Sequence, residues 1–319
     1  MTESTPLVLT VGIHIVDILG RPVPAIPDGQ GIALLDEIRM TVAGTAAGTA
    51  IDMARLGLNV ATVGVIGEDE LGRWLELKMR TEGVDTGGLV VDPTKPTSAT
   101  MLPIRPNGER PALHVKGANT TLSLDQIDWG LIEAADWVHI GGTCLLDNFD
   151  GEPTAEVLRR AKAAGATTSL DILGMPDADF DRLFGPVLPL LDWFLPNDDD
   201  ARMVSGRQDL TEALKWLGDS GVGATVVTLG AEGASYAPTG GGDTIRVPAY
   251  DIDVVDTTGC GDAFSAGFIT GMIEGHDVTE AMEIGVASGS MVATGLGSDA
   301  GIVDRASLDA FRETTPKRA

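Results

Sequence analysis

The chain has 319 residues, of which 43% are hydrophobic and 22% charged, an ordinary composition for a globular protein with a sizeable core. It carries 47 Asp and Glu residues against 22 Lys and Arg, which gives a formal net charge of −25. Such a field repels phosphate backbones and anionic lipids, so it argues against a nucleic acid or a membrane surface as the main partner.

Two further sequence features, targeting signals and cysteine spacing, narrow the class of protein. No apolar run of about 18 residues occurs, and the N-terminal sequence MTESTPLVLTVGIH has neither the basic region nor the cleavage site of a secretion signal. The two cysteines, Cys144 and Cys260, form no CxxC pair, which disfavours a disulfide framework and a structural zinc site. We therefore expect a cytoplasmic protein.

From residue 7 onward, short apolar runs alternate with helical patterns. The apolar runs predict strands at 7–13, 60–66, 137–142, 167–172, 193–196 and 224–230. The helical patterns, each followed by a glycine or a turn cluster, occur at 45–57, 70–81, 152–165, 177–187 and 209–218. This alternation predicts a mostly parallel α/β sheet, whose ligands usually bind at the carboxyl ends of the strands.

Two segments interrupt the alternation, and both follow early strands. Residues 18–43 contain three prolines and an irregular run, and residues 97–117 are typical of a hairpin around the turn PNGER. A small β lid that closes over the mouth of the main sheet would account for both segments. Ordinary surface excursions would also account for them, and periodicity alone does not decide between the two.

The last third of the chain is mainly helical. Its helical patterns lie at 263–275, 279–297 and 304–313. No repeat of about 20 to 50 residues is visible, and no low-complexity linker divides the chain. We therefore expect a single domain over residues 1–319, with lid segments at about 18–43 and 97–117.

The stretch VVDTTGCGDAFSAGF, residues 254–268, carries the clearest chemistry. A Gly-x-Gly turn that enters a helix exposes backbone N–H groups at the positive end of the helix dipole, where an anion can bind. Asp262 follows this turn and can either cap the helix or accept a proton from a hydroxyl that attacks a bound phosphate. The second role requires a hydroxyl clamp, a nucleotide site and a metal elsewhere in the chain.

This stretch resembles the C-terminal signature D-T-x-G-x-G-D of the ribokinase-like (PfkB) carbohydrate kinases. The segments VGIHIVD, VAGTAAGTAIDMARLG, GEDELG, PNDDDA and VVTLGAEGA match the family in order, so the resemblance extends from about residue 7 to residue 311. It implies a ribokinase-like three-layer α/β/α domain with a mostly parallel central sheet and a small β lid. It also implies an ATP-dependent sugar kinase that requires Mg²⁺, a phosphotransferase with an alcohol group as acceptor.

The resemblance assigns the catalytic positions. Asp262 matches the family's catalytic base, and the turn of Gly259, Cys260 and Gly261 matches the anion hole for the transferred phosphoryl group. Because such a hole uses backbone N–H groups, the side chain of Cys260 need not take part and can be a small buried filler. Asp17, after the first strand, matches the family's aspartate that binds sugar hydroxyls.

The resemblance also places the nucleotide and the cations. Residues 287–297 match the adenine-side wall, and the nucleotide contacts fall on Asn197, Thr228, Gly230 and Gly233. Asn197 and Asp200 match the family's N-x-x-E motif, which is linked to Mg²⁺ through water. Asp200 replaces the glutamate of the motif, and its side chain is one methylene shorter. Asp198 or Asp199 could therefore share the metal role, or all three aspartates could cap the next helix. Asp256 resembles a ligand of the monovalent cation, K⁺, found in many relatives.

The sugar-binding motif departs from the family pattern. The second motif is usually G-G-x-x-x-N, whereas here Gly44 follows an alanine and Gly48 stands at the asparagine position. A second asparagine that often contacts the sugar corresponds to Ile15. Either other groups, such as His14, Thr45 or Thr49, hold the substrate, or the substrate is less polyhydroxylated on that side than ribose.

Three acceptor classes can be compared. A sugar phosphate as acceptor needs a cationic side chain that binds its phosphate. Thr45 replaces the lysine often found in the second motif, although Arg21, Arg39 or Arg105 could supply the positive charge. A nucleoside gains from aromatic stacking, but no aromatic residue precedes Trp74 or lies in 97–117. A small free sugar or sugar acid remains, although the arginine expected after the SLD strand for a 2-keto-3-deoxy acid is absent.

Other functions and assemblies stay open. A nucleoside kinase of the same family is one alternative, and a non-catalytic sugar or nucleotide sensor is another, although a sensor needs no intact GCGD turn. A nicotinamide-dependent enzyme is disfavoured because G-x-G-x-x-G does not follow the first strand. Strand edges in the lid could pair with a second lid, which would make a homodimer.

Overall fold

The computed structural model describes residues 5–107, 109–175, 177–240 and 244–318. Strands and helices alternate along most of this length. The strands are β1 Leu7–Gly12, β2 Ile15–Arg21, β3 Glu37–Ala43, β4 Asn59–Gly67, β5 Asp85–Asp92, β6 Ala99–Pro103, β7 Leu113–Val115, β8 Trp137–Thr143, β9 Thr167–Ile172, β10 Trp193–Phe194, β11 Ala224–Thr228, β12 Ala234–Pro238 and β13 Ile245–Val247. The helices are α1 Ala47–Arg55, α2 Glu70–Thr81, α3 Trp129–Ala134, α4 Glu152–Ala164, α5 Phe180–Phe184, α6 Asp198–Ser205, α7 Leu210–Asp219, α8 Cys260–Ile273, α9 Val278–Ala293 and α10 Arg305–Thr314.

The main sheet is mostly parallel. Across the described residues its strand order is β13-β12-β11-β10-β9-β8-β1-β4-β5. All neighbours from β11 to β5 pair in parallel, whereas β12 and β13 add an antiparallel edge. The parallel strands therefore end at one edge, at Gly12 in β1, Ile172 in β9 and Thr228 in β11, and this edge carries the site described below.

Strand β1 shows why helices cover both faces of this sheet. Successive side chains of a strand point to opposite faces. Val8 shares a buried cluster with Ile51 of α1 and Leu75 of α2, whereas Leu9 shares another with Val157 of α4. The predicted three-layer α/β/α architecture is confirmed.

A second, smaller sheet has the strand order β3-β2-β6-β7. Its strands come from the two segments that interrupt the βα alternation, and β6 pairs antiparallel with β7 as expected for a hairpin. Gly108, in the predicted PNGER turn, lies outside the described residues. Strand β2 begins at Ile15, earlier than the expected boundary at 18, because the apolar run after β1 continues directly into it.

Most predicted elements are confirmed, with small shifts at their ends. The predicted 70–81 and 167–172 coincide with α2 and β9. The predicted helix at 177–187 is wrong in extent, since α5 is short: the Asp179 side chain caps its start and the helix stops at Gly185. Strand β5 was not predicted, because its two glycines hide the strand pattern. Among the described residues, no helix combines the length and the hydropathy that a membrane span requires.

Candidate active site

The N-terminus of α8 forms a backbone pocket at the carboxyl edge of the main sheet. Gly259 has a left-handed φ of 79°, and a Cβ there would lie 2.7 Å from Cα of Ser298, so this position requires glycine. Within the described part of the chain, the N–H groups of Gly261 and Asp262 have no hydrogen-bond acceptor. Two free N–H groups at a helix start are suited to bind an anion.

Cys260 is the central residue of this turn and lines the adjoining cleft. Burial raises the pKa of its thiol to about 12, and the neighbouring charge of Asp256 adds to the effect. A thiol with such a pKa is not a nucleophile near neutral pH. The side chain therefore fits the role of a small filler.

Asp262 is the third residue of α8 and does not cap it, because Gly259 is the N-cap residue. Its side chain is buried, and no described donor contacts the carboxylate. Burial, followed by the charge of Asp17, raises its pKa to about 7. A carboxylate with a pKa near neutrality and no cationic partner is suited to general base catalysis.

A row of polar side chains crosses the small sheet and includes Asp17. Strand register places Thr41 and Thr100 on either side of Asp17, and His114 beyond Thr100. Oγ1 of Thr100 lies 3.1 Å from Nδ1 of His114. Burial raises the pKa of Asp17 to about 6, although a hydrogen bond from Thr100 opposes the shift. This row offers both donors and acceptors to a polar ligand.

Arg110 connects the small sheet to the loop in front of α8. Its guanidinium donates to Oδ1 of Asp256 at 2.8 Å and to Oγ1 of Thr257 at 2.7 Å. Asp256 is buried and also accepts hydrogen bonds from the N–H groups of Thr258 and Gly297. One carboxylate thus joins the small sheet, the turn before α8 and the loop after α9.

Two further carboxyl groups lie near the start of α8, since Asp171 interacts with Asp262 and Asp200 interacts with Asp171. Asp171 lies near the end of β9, where its Oδ2 is 3.5 Å from Oγ of Ser265. Burial, followed by the charges of Asp262 and Asp200, raises the pKa of Asp171 well above its usual range. Burial and the charge of Asp199 raise the pKa of Asp200 to about 6. Burial and neighbouring carboxylates therefore favour the protonated forms of Asp171 and Asp200, and no cation among the described residues forms an ion pair with either.

The residues of PNDDD divide into two groups. The side chain of Asn197 caps α6, since its Oδ1 accepts a hydrogen bond from the N–H of Asp200 at 2.8 Å. Asp198 and Asp199 instead pair with Arg202, at 2.6 Å and 3.3 Å. A share in the metal role stays a prediction for both, whereas Asp200 forms no ion pair among the described residues and is the first candidate.

A cleft of about 280 Å³ extends from the start of α8 across the sheet edge. The predicted nucleotide residues Thr228, Gly230 and Gly233 line it together with Gly289 and Ala293 of α9. Asn197 is not in this lining but forms a β-bridge to Thr228 at its border. The cleft therefore brings together most of the positions expected to contact a nucleotide.

The expected substrate contact at His14 is wrong. The ring is fully buried, with Nδ1 3.0 Å from the carbonyl oxygen of Gly12 and Nε2 2.9 Å from Oγ1 of Thr62. Burial lowers the pKa of His14 to about 4, so the ring is neutral. Gly64 makes room for it, because a Cβ there would lie 2.2 Å from Nδ1. His14 thus fills the space between β1 and β4.

The turn before α1 approaches the other side of Asp262. Gly44 has a φ of 96°, and a Cβ there would lie 2.5 Å from the carbonyl oxygen of Ile13. The hydroxyl of Thr45 is buried without a hydrogen-bond partner among the described residues. A Cβ on Gly48 would lie 3.0 Å from Oδ2 of Asp262. Substrate contacts at these three positions stay predictions.

The arginines considered as phosphate ligands are all engaged by protein groups. Their carboxylate partners lie at 2.9 Å, 2.9 Å and 3.1 Å, in the pairs Arg21 with Glu37, Arg39 with Asp299, and Arg105 with Glu109. Arg110 is instead the cation near the polar row, since its charge lowers the pKa of Asp17.

Sequence reasoning missed Arg110, Asp171, Thr100 and His114. A usable signal existed for Asp171, because a carboxylate near the end of a buried parallel strand points to the ligand-binding edge. No local signal marks the others, since their proximity to the site depends on how the small sheet is placed.

Known proteins resemble this chain in sequence and in fold. The sequence profile described as pfkB family carbohydrate kinase matches residues 6–305. The chain is 30% identical to the ATP-dependent ribose-1-phosphate kinase of Halopiger xanaduensis over 276 residues, 85% of this chain and 86% of the relative. It is 31% identical to the 5-dehydro-2-deoxygluconokinase of Shouchella clausii over 268 residues, 79% of this chain and 80% of the relative. The fold matches the Arabidopsis thaliana ribokinase complexed with ribose and ATP, with a TM-score of 0.82, 24% identity, and coverage of 97% of this chain and 99% of that one.

Proposed function

This chain belongs to the pfkB family of carbohydrate kinases, and we propose that it transfers the γ-phosphoryl group of ATP to a hydroxyl of a small free sugar or sugar acid. It is a sugar kinase, a phosphotransferase with an alcohol group as acceptor. The observation that carries the proposal is the buried Asp262, with a pKa of about 7, directly after two N–H groups without acceptors.

In the proposed reaction, Asp262 accepts the proton of the acceptor hydroxyl as that oxygen attacks the γ-phosphorus. The bond from the γ-phosphorus to the β,γ-bridging oxygen breaks, and ADP leaves with the bridging oxygen. The N–H groups of Gly261 and Asp262 stabilise the negative charge that develops on the phosphoryl oxygens. Asp17 accepts hydrogen bonds from hydroxyls of the sugar and orients the attacking one. The nucleotide occupies the cleft lined by Thr228 and Gly233, so its phosphates point toward α8.

The acidic groups around the anion hole fit Mg²⁺. Asp171 and Asp200 are buried carboxylates with raised pKa values and no cationic partner among the described residues. The described residues include no group of three or more His, Cys, Asp or Glu that could hold a metal by themselves. That agrees with the usual kinase arrangement, in which one or two carboxylates and the nucleotide phosphates share the ion. When bound, Mg²⁺ neutralises phosphate charge, and Asp200 would be its main protein contact, through water.

A monovalent cation at Asp256 fits less well. Its two carboxylate oxygens already accept hydrogen bonds from Arg110, Thr258 and Gly297. The guanidinium of Arg110 supplies positive charge at this point. We therefore include no K⁺ in the proposed reaction.

The small sheet acts as the lid of a single kinase domain in this proposal. Asp17 and Thr100 lie on its strands, so the lid contributes sugar contacts, and Arg110 ties it to the loop before the anion hole. Arg110 also places positive charge near Asp17, and this charge favours an acceptor with an anionic group even though its N–H groups already donate to Asp256 and Thr257. This is the observation in favour of a sugar acid, or of a sugar phosphate as a second candidate.

The outer face of the lid supports a homodimer. One face of the small sheet carries apolar residues that stay exposed, among them Ile38 at 71%, Met101 at 57%, Leu113 at 57% and Val115 at 53%. A contiguous exposed apolar patch often marks an interface. We propose that two lids pair through this face.

A screen for acceptor-dependent ADP release tests the function. Free sugars, sugar acids, sugar phosphates and nucleosides are each incubated with ATP and Mg²⁺, and we expect ADP release with a sugar or sugar acid. Asp262→Asn should abolish the release and leave ATP binding intact. Asp253→Asn, an exposed aspartate before the same turn, is the matched control. Undiminished turnover in Asp262→Asn would exclude Asp262 as the base, and release only with nucleosides would exclude the proposed acceptor class.

A further inference from the structure

Arg318, at the end of the segment 315–318, forms part of the wall of the nucleotide cleft. The N–H of Arg318 donates to the carbonyl oxygen of Ala249 at 2.7 Å, and the N–H of Asp251 donates to that of Pro316 at 2.8 Å. These two bonds hold the segment antiparallel to residues 249–251, in the manner of a short strand pair. Arg318 is thereby fixed on the lining of the cleft, beside Tyr250.

Arg318 is the only charged residue among the described residues that line this cleft. The rest of the lining consists of glycines, small polar residues and apolar or aromatic side chains such as Phe264 and Val286. Arg318 is also exposed, and no described carboxylate lies within ion-pair distance of it. In a chain with a net charge of −25, an arginine without a described acidic partner at the edge of a cleft is available to a ligand.

The strand order shows which end of the cleft Arg318 occupies. The anion-binding end lies at Gly261, beside Asp171 of β9, whereas Ala249 contacts Gly233 at the start of β12. Three strand spacings separate β9 from β12 in the sheet, roughly 14 Å. Arg318 therefore lies at the end of the cleft remote from the phosphoryl-transfer centre.

We infer that Arg318 is a binding residue for the nucleobase of the donor nucleotide, an inference that rests on the proposed ATP site. A guanidinium can stack on the face of a base and donate hydrogen bonds to its ring nitrogens. At the remote end of the cleft the base, and not the phosphates, is its partner. The residue thus adds affinity for the nucleotide without taking part in the chemical step.

The test compares Arg318→Ala, Arg318→Lys and Lys317→Ala. Lys317→Ala is the matched control, because it removes one charge from the neighbouring position, where Lys317 pairs with Glu283. Dissociation constants for ATP, ADP and adenosine are measured by calorimetry, and kcat and both KM values by ADP release. Thermal unfolding of each variant confirms that the chain still folds.

We expect Arg318→Ala to weaken the binding of ATP, ADP and adenosine by the same factor, about fivefold to tenfold. The KM for ATP should rise accordingly, while kcat at saturating ATP and the KM for the sugar should not change. Arg318→Lys should recover little of the lost nucleotide affinity, since lysine keeps the positive charge but lacks the planar guanidinium. Lys317→Ala should resemble the unsubstituted chain.

Other results would overturn the inference. Equal affinities in Arg318→Ala and the unsubstituted chain would show that Arg318 does not contact the nucleotide. Weaker ATP binding with unchanged adenosine binding would place the guanidinium on the phosphates instead. An unsubstituted chain that binds none of these nucleotides would overturn the proposed function itself, and that result is distinct from the other two.

Discussion

The Cα of Gly48 faces the carboxylate of Asp262 so closely that a methyl group on Gly48 would lie 3.0 Å from Oδ2. The family motif that this segment resembles usually has an asparagine at the position of Gly48. Here any side chain at 48 would press on Asp262. The absence of a side chain at Gly48 and the position of the candidate base are therefore linked.

Gly48→Ala should lower activity while leaving the fold intact. Gly48 lies inside α1, where alanine is intrinsically more stable than glycine by about 0.5–1 kcal/mol. The new methyl group would displace the carboxylate of Asp262, and a small misplacement of a catalytic group costs about tenfold to a hundredfold in rate. Thermal unfolding and kcat/KM for the acceptor identified by the screen measure the two effects.

The matched control for that variant is Gly218→Ala. Gly218 also lies in a helix, α7, but a Cβ there would have its nearest neighbour at 3.8 Å, an ordinary contact. Gly218→Ala should gain about the same free energy of unfolding as Gly48→Ala, with no change in kcat/KM. If both variants kept full activity, the contact between Gly48 and Asp262 would be irrelevant to catalysis.

The rate should depend on pH through Asp262. Its pKa is about 7, and only the ionised carboxylate can accept a proton. We expect kcat/KM to fall about tenfold for each pH unit below about 7 and to be constant above it. A pH profile at fixed ionic strength measures this. A profile without an inflection between about pH 6 and 8 would contradict Asp262 as the base.

The same group should make stability depend on pH. The pKa of Asp262 is raised from 3.8 to about 7 in the folded chain, so the folded state binds this proton more tightly than the unfolded state. Its contribution to stability is complete below pH 4 and is lost as the pH rises through 7. Asp262→Asn removes the ionisation, so it should raise the free energy of unfolding, measured by denaturant titration, more at pH 8 than at pH 5, by about 1–3 kcal/mol. An equal shift at both pH values would show that the carboxyl is not buried as described.

Arg110→Ala should weaken acceptor binding. The substitution breaks the contacts of the lid with Asp256 and Thr257 and removes the cation near Asp17. We expect the acceptor KM to rise about fivefold to thirtyfold, with a smaller change in the KM for ATP. Arg105→Ala is the control, since Arg105 pairs only with Glu109 of the same hairpin among the described residues. Equal effects of both substitutions would indicate a general loss of lid charge.

The sequence alone predicted the parts of the site that depend on local structure. The turn from Gly259 to Asp262 could be located because a glycine-rich helix start has its own chemical pattern, and the strands at 7–13 and 167–172 have strong hydrophobic patterns. The predicted parallel sheet then brings these segments to one edge.

The rest depended on tertiary packing that no local pattern encodes. His14 lies two residues after the end of β1 and was expected at the site, but the space left by Gly64 draws its ring into the interior. Arg110 reaches Asp256 across 146 positions of sequence, so only the placement of the lid reveals the contact. Arg318 likewise reaches the cleft through pairing with Ala249.

Met101→Glu should separate a dimer into monomers. Met101 lies on the exposed apolar face of the lid, and a carboxylate there would be buried without a partner if two lids pair. Sedimentation velocity should show a dimer for the unsubstituted chain and a monomer for Met101→Glu. Leu77→Glu is the control, because Leu77 on α2 is 65% exposed and lies outside the lid. A monomeric unsubstituted chain, or a Met101→Glu variant that stays dimeric, would contradict pairing through this face.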